Sequence, residues 1–372
     1  MKIVIDIDVP FLYEEIIINI LKRLPAKSLI RFQCVSKHWK SLIKNPSFTA
    51  EHLDHSTHQN PCLLFEAIDR RTLNLHLLDC EMQLRRAPNH PLLDYLKRGW
   101  VIGSSNGLLC IDISMVDCIS HHSLLLYNPA IREIRQVPTT CTDFHGFVGF
   151  GFSPIVDDYK IVKIYVDEAY DVEKVEVYSL RTGSWKGLEL GILNGACVNS
   201  ERFTANGAIF WFGFKRDLLG RNGDPVIISF DIAMEVFTLL PRPALVPRSY
   251  QNRLATYENK LALLSCYGIR NYESFFIELW VMEEVVAPSG GRWSWTKKYT
   301  SNPYPHFVRP MTIWKNEIVC KISTARGREN DNPNTVLFNL TTRESTELAV
   351  CRSDYVRHIF NYVESIIPVG GM

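Results

Sequence analysis

The 372-residue chain lacks most of the features that would take it outside ordinary globular proteins. Its ten cysteines, at 34, 62, 80, 110, 118, 141, 197, 266, 320 and 351, include no C-x-x-C pair. Zinc knuckles and redox pairs therefore find no support, and no metal site is expected. Several cysteines lie inside apolar runs, such as Leu109-Cys110-Ile111, where a free thiol behaves as a small buried hydrophobe. Basic clustering is also missing. The formal charge is +1, and the largest basic groupings are pairs such as Arg70-Arg71 and Lys97-Arg98. A nucleic-acid partner is not expected from such a surface. No window approaches the ~18 uninterrupted apolar residues of a membrane helix. Met1 to Pro10 carries Asp6 and Asp8 and does not read as a secretory signal. The expectation is a reduced, soluble, intracellular protein, cytoplasmic and open to the nucleus as well, with no membrane partner.

Signals of catalysis are sparse. Gly103-Ser104-Ser105-Asn106-Gly107 fits a nucleophile elbow, but that motif needs a helix after its turn. Leu108 to Ile113 reads as a strand instead, and Asn-Gly is a turn dipeptide. His52, His55 and His58 are spaced three apart, yet Ser56, Thr57, Gln59 and Asn60 beside them read as a solvated connector. Gly149-Phe150-Gly151 lacks the third glycine of a phosphate loop, with Pro154 in its place. No cofactor and no catalytic residue are expected.

What is present divides near residue 60. Before it, Leu12, Ile16, Ile20 and Leu24 recur every four residues along one helix face, with Ile17, Leu21 and Ile18 on other sides. Pro25 breaks that helix and starts a second, which carries Leu29, Phe32 and Val35. A third, His38 to Ile43, presents Trp39, Leu42 and Ile43 before Asn45-Pro46-Ser47 ends it. Three helices in so short a span cannot bury much apolar surface, so a first helix apolar on several sides asks for a second partner.

After residue 60, apolar strands alternate with turns. Turns at Asn106, Asp158, Asn206, Glu258 and Lys315 are spaced by 52, 48, 52 and 57 residues. Asn60 and Asn361 extend the series outward. A period near fifty with several strands per unit predicts kelch-like propeller blades, about six of them. The final run, Tyr362 to Ile367, is expected to complete the first blade. A β-sandwich with accidental spacing is the competing architecture.

The stretch from Leu12 to Phe48, with Ile20-Leu21-Lys22-Arg23-Leu24-Pro25-Ala26-Lys27-Ser28-Leu29 and Val35-Ser36-Lys37-His38-Trp39, resembles a plant F-box. It departs from the pattern at Tyr13 and Asn19, on the adaptor side. The later phrases, Gly103 to Cys110, Tyr127-Asn128-Pro129-Ala130-Ile131-Arg132-Glu133 and Val175 to Leu180, resemble the F-box-associated domain of the same proteins. The fold so implied is α+β and multidomain. A three-helix F-box over 1–50 and a linker over 51–60 precede an all-β propeller over 61–372.

The resemblance implies a non-catalytic, substrate-recognising subunit of an SCF-type ubiquitin ligase. The F-box would dock on the adaptor, and through it on the cullin, by way of Leu12, Ile16, Ile20, Leu24, Pro25, Leu29, Val35 and Trp39. Some of these must form the module's own core, and the sequence does not sort the two roles. Propeller loops, with 167–174, 215–224 and 324–334 as candidates, would hold a target protein. The ending Tyr362 to Val369 most resembles the S-locus F-box group, which implies self-incompatibility and a stylar S-RNase as target. A propeller hydrolase and a ligase-independent F-box scaffold are the rival readings.

Overall fold

The computed structural model describes residues 12–69, 72–88, 99–113, 123–139, 144–216, 222–243, 251–269, 274–287, 290–323, 335–348 and 355–370. Among them the chain forms four helices and then six four-stranded antiparallel sheets.

The helices are α1 (Glu14–Leu21), α2 (Ala26–Phe32), α3 (Lys37–Ile43) and α4 (Pro46–Gln59). The fourth corrects two expectations: there are not three helices, and 51–60 is not a linker. Asn45-Pro46 begins a helix instead of ending the chain's helical part. The Asn45 side chain accepts from the amide of Ser47 at 2.9 Å, and Pro46 supplies a φ suited to the first turn. Ser36 caps α3 in the same way, accepting from the Trp39 amide at 3.1 Å. Leu21, Ala26, Leu29, Ile43 and Phe48 form the core of this bundle.

The six sheets are blades. Their innermost strands are Tyr355–Tyr362, Trp100–Ser105, Gly146–Ser153, Ala196–Ala205, Gln251–Tyr257 and Phe307–Trp314, for blades 1 to 6 in ring order. Blade 1 joins both ends of the domain. Its innermost strand pairs with Cys62–Asp69, from Cys62 opposite Tyr362 to Ile68 opposite Tyr355. The carboxy-terminal closure expected of a propeller is present, but its strand ends at Tyr362, where the sequence reading began it. Residues 363–370 run on in irregular conformation.

Six apolar layers, one between each pair of neighbouring blades, make up the propeller core. In Leu108–Asp112, Leu108 and Cys110 face blade 3, while Leu109 and Ile111 face blade 1. Burial on both faces is why such strands read as continuous apolar runs without alternation. Two-residue turns link inner to second strands at Asn106-Gly107 (φ 50° and 81°), Asn206-Gly207 (51° and 74°) and Glu258-Asn259 (49° and 57°). Left-handed conformations at both positions suit the twist of a tight hairpin. Ser105 thus leads into a strand–turn–strand hairpin, not the strand–turn–helix of a nucleophile elbow. No described helix is long and apolar enough to cross a membrane.

Candidate functional site

Three surfaces organise the molecule: an apolar helical face, the joint beneath it, and the propeller channel with its far loops.

The helical face sorts the residues that the sequence left unsorted. Leu12, Ile16, Ile20 and Val35 are 51%, 43%, 49% and 63% exposed, and Tyr13 joins them at 80%. Pro25 is exposed as well. Leu24 and Trp39 are half-buried against the bundle core, Trp39 meeting Phe32 edge-on at 5.4 Å. Leu29 is completely buried and belongs to the core, so its place among adaptor contacts is corrected. It lies three residues after Ala26, on the stripe of α2 that points inward. A small module with a filled core that still leaves large aliphatics on one side of its first helix has a surface fit for association.

His52 does not belong to the solvated connector that its neighbours in the sequence suggest, and that expectation is corrected. It is buried in α4, where its Nε2 lies 3.0 Å from the carbonyl of Leu24 and its ring stacks on Phe48. Burial lowers its pKa below the ordinary histidine value, against the raising effect of the Leu24 carbonyl.

Beneath the helices, Ala130 and Ile131 of blade 2 and Ile366 of the tail pack against the bundle core. Fully buried Asn128 donates to the carbonyls of Ser365 and Ile367 at 3.1 and 2.8 Å, and its Oδ1 accepts from the Ala130 amide at 3.0 Å. Ser365 donates to the Asn106 carbonyl at 2.8 Å. The tail therefore straps the helical module to blade 2.

A cavity of about 600 Å³ occupies the channel, lined from Trp100 and Gly146, at the starts of inner strands, to Asn206 and Asn361 at their ends. Arg202, Arg253, Arg309 and His358 line it. Arg202 donates to the carbonyls of Ile102 (2.7 Å) and Val101 (3.2 Å), crossing from blade 4 to blade 2. The three arginines escaped the sequence reading. They stand four, five and six residues before the turns at Asn206, Glu258 and Lys315, and that recurrence would have revealed them.

Strand alternation puts the turns between inner and second strands, and Ala130-Ile131, on one face. Connections between second and third strands lie on the other. The candidate loops 167–174 and 215–224 make such connections, so they lie opposite the helical module. The first is built around Asp167, which accepts from the amides of Ala169 and Asp171, both at 2.8 Å. Val172 already begins a strand. Arg216 ties the two loops together, meeting the Asp171 carboxylate at 2.5 Å and the Ala169 carbonyl at 3.1 Å. Tyr170 stands out half-exposed, stacked on Phe147 of the channel wall at 6.3 Å. Burial, then the Asp171 carboxylate, push the nearby Cys197 thiol up to about 11, so it is not a ready nucleophile. In the second loop, residues 217–221 lie outside the described residues, as does the third candidate, 324–334, entirely.

Comparison with known proteins agrees with this architecture. The F-box domain family matches residues 11–51, and the family of the F-box associated beta propeller domain matches residues 89–350. F-box protein CPR1 of Arabidopsis thaliana is 27% identical over 378 residues, spanning 92% of this chain and 85% of that protein. Another F-box relative from Arabidopsis thaliana is 29% identical over 239 residues. That match takes in 63% of this chain and 61% of the relative, so less than two thirds of the relative's length is spanned. Among solved structures, TolB from Acinetobacter baumannii has a TM-score of 0.48 at 10% identity, over 86% of this chain and 73% of that one. So distant a likeness has no bearing on function. With a match to well over half its length, the chain belongs to the F-box associated beta propeller family and carries an F-box domain at its amino end.

Proposed function

We propose that the chain is a substrate-recognition subunit of an SCF-type ubiquitin ligase. In this reading the F-box docks on the adaptor subunit, and through it on the cullin, by Leu12, Ile16, Ile20, Pro25 and Val35. Leu24 and Trp39 brace that face from behind. The observation that carries the reading is the exposed aliphatic side of α1 on a module whose core is already complete. The loop face opposite the F-box holds the target protein, with Tyr170 as an aromatic anchor of the kind that dominates interfaces. The chain adds no acid–base chemistry. It raises the target's local concentration beside the charged ubiquitin-carrying enzyme. This work is placed in the cytoplasm, with the nucleus open to it, and cell fractionation tests that placement.

The decisive experiment is binding of the purified chain to the adaptor, beside an Ile16→Asp, Ile20→Asp variant. Two buried contacts replaced by charge should weaken binding by about 100-fold or more while the fold survives, since both residues are exposed. Absence of binding by the unmodified chain would sink the proposal. A ligase-independent scaffold then becomes the better reading. Exposed Tyr13, where the F-box pattern has proline, favours that alternative, and failure to co-purify with a cullin would select it.

The narrower proposal of a stylar ribonuclease as target, in self-incompatibility, rests on the phrase 362–369. Those residues serve the internal strap, with Ser365, Ile366, Ile367 and Val369 all buried. A target-specific signal belongs on the loop face instead. Capture of stylar ribonucleases by the chain, lost on Tyr170→Ala, tests this narrower reading.

A further inference from the structure

The channel wall has two unlike halves. Blades 4, 5 and 6 each send one arginine into the cavity, Arg202, Arg253 and Arg309, and blade 1 adds His358. Lys321 stands cross-strand from Arg309, and its ammonium donates to the carbonyl of Val356. Blades 2 and 3 carry no cation there and face them with Trp100, Phe147 and Phe150, while Phe203 of blade 4 and Phe360 of blade 1 add rings beside the cations. Among the described lining residues Asp112 is the sole carboxylate. Glu66, on blade 1, is held by His358 at 2.8 Å and Arg357 at 3.5 Å.

The cations press on one another. Burial and then Arg309 push Arg253 down to about 10. Burial, then Arg309 and Arg253, push Lys321 down to about 8. Like charges gathered around one cavity favour the arrival of an anion.

We propose that this cavity binds a small amphipathic anion, a flat aromatic body bearing a phosphate or carboxylate. The acid group lies against Arg253 and Arg309, and the ring lies against Trp100 and Phe147. Guanidinium groups match the paired oxygens of either acid. A volume of about 600 Å³ is that of a small-molecule site. A hydrophobic wall with a few convergent charged groups fixes both the position and the orientation of such a ligand. The assignment is independent of which protein the loop face holds.

Isothermal titration of the full chain tests it with four probes: 1-naphthyl phosphate, 2-naphthoate, neutral 2-naphthalenemethanol and orthophosphate. At least one anionic aromatic should bind at least about tenfold more tightly than both the neutral alcohol and orthophosphate. Which of the two binds better separates the phosphate source from the carboxylate one. Arg253→Gln and Arg309→Gln should each weaken it about tenfold while the far-ultraviolet circular dichroism spectrum stays unchanged. Equal affinity for the alcohol, no binding of either anionic aromatic, or full binding by both arginine variants would overturn the proposal. An acidic peptide that bound in place of both aromatics would overturn it as well, giving the channel to a protein target.

Discussion

Asn128→Ala should release the strap that joins the F-box to the propeller. Asn128 loses its three shorter hydrogen bonds in that variant, two to the tail carbonyls of Ser365 and Ile367 and one from the Ala130 amide, along with a long one to the Ser365 hydroxyl at 3.5 Å. Each is worth about 1 kcal/mol net, and each buried carbonyl left without a donor adds about 1–3 kcal/mol. Water entering the void recovers part of this, leaving a loss of about 3–5 kcal/mol. The loss falls on a short segment with its own anchors, Ile366, Ile367 and Val369, so it should appear as local opening, not global unfolding. Amide exchange at 365–369 should then accelerate by about 100- to 1000-fold, read by hydrogen–deuterium exchange and mass spectrometry on the full chain. Asn128→Asp keeps the acceptor for Ala130 but turns an oxygen toward both tail carbonyls, and should be at least as damaging. Unchanged exchange at 365–369 in both variants would refute the reasoning, because the tail would then be held by something other than Asn128.

Other perturbations probe other parts of the molecule. The folded pKa of His52 lies below its unfolded value near ~6.5, so the folded F-box binds fewer protons than the unfolded one. Its stability should be full above that pH and fall as the pH drops through it; urea midpoints at two pH values, with His52→Gln flattening the slope, check this. Glu235 accepts from buried Lys160 at 2.6 Å and also pairs with Lys186. Glu235→Ala should cost about 3 kcal/mol by stranding Lys160, and adding Lys160→Met should recover much of it in denaturant unfolding. Deleting 355–372 removes the innermost strand of blade 1, uncovering Leu63 and Phe65. That truncated chain should lose its cooperative melt, and a wild-type melting curve would show that closure is not needed.

The helical half was legible only in part, because hydrophobic periodicity reports where apolar residues are, not which side of them is occupied. Glu14–Leu21 is apolar on several sides, so the exposed Ile16 and Ile20 and the buried Leu21 carry the same signal. The opposite failure hid α4. Its buried residues are Phe48, Thr49, His52 and Ser56, mostly polar, and helical spacing in polar residues raises no hydrophobic stripe. Asn-Pro is also read as easily for a stop as for a cap and first turn. The tail misled for a third reason. Ile366, Ile367 and Val369 are apolar because they fill the joint with the F-box and blades 2 and 3, not because they belong to a strand.

The propeller was far more legible, since each blade is sandwiched between two others and tight two-residue turns recur at the inner hairpins of blades 2, 4 and 5. Yet the period that revealed the blades also concealed the channel. Arg202, Arg253 and Arg309 lie 51 and 56 residues apart, close to the blade repeat. Taken singly, each is a charge within a strand, two of them after polar residues, which reads as a solvent-facing position. Only closure of the ring turns those positions inward, toward one axis, where three separate exceptions become one cluster. The lining is shared with the inter-blade core, since Ile102, Phe150, Leu254 and Met311 line the cavity and also pack between blades. Against that apolar lining, the three arginines are what distinguishes the channel from the layers between blades. In this chain the charges are cationic on one side and faced by aromatic rings on the other.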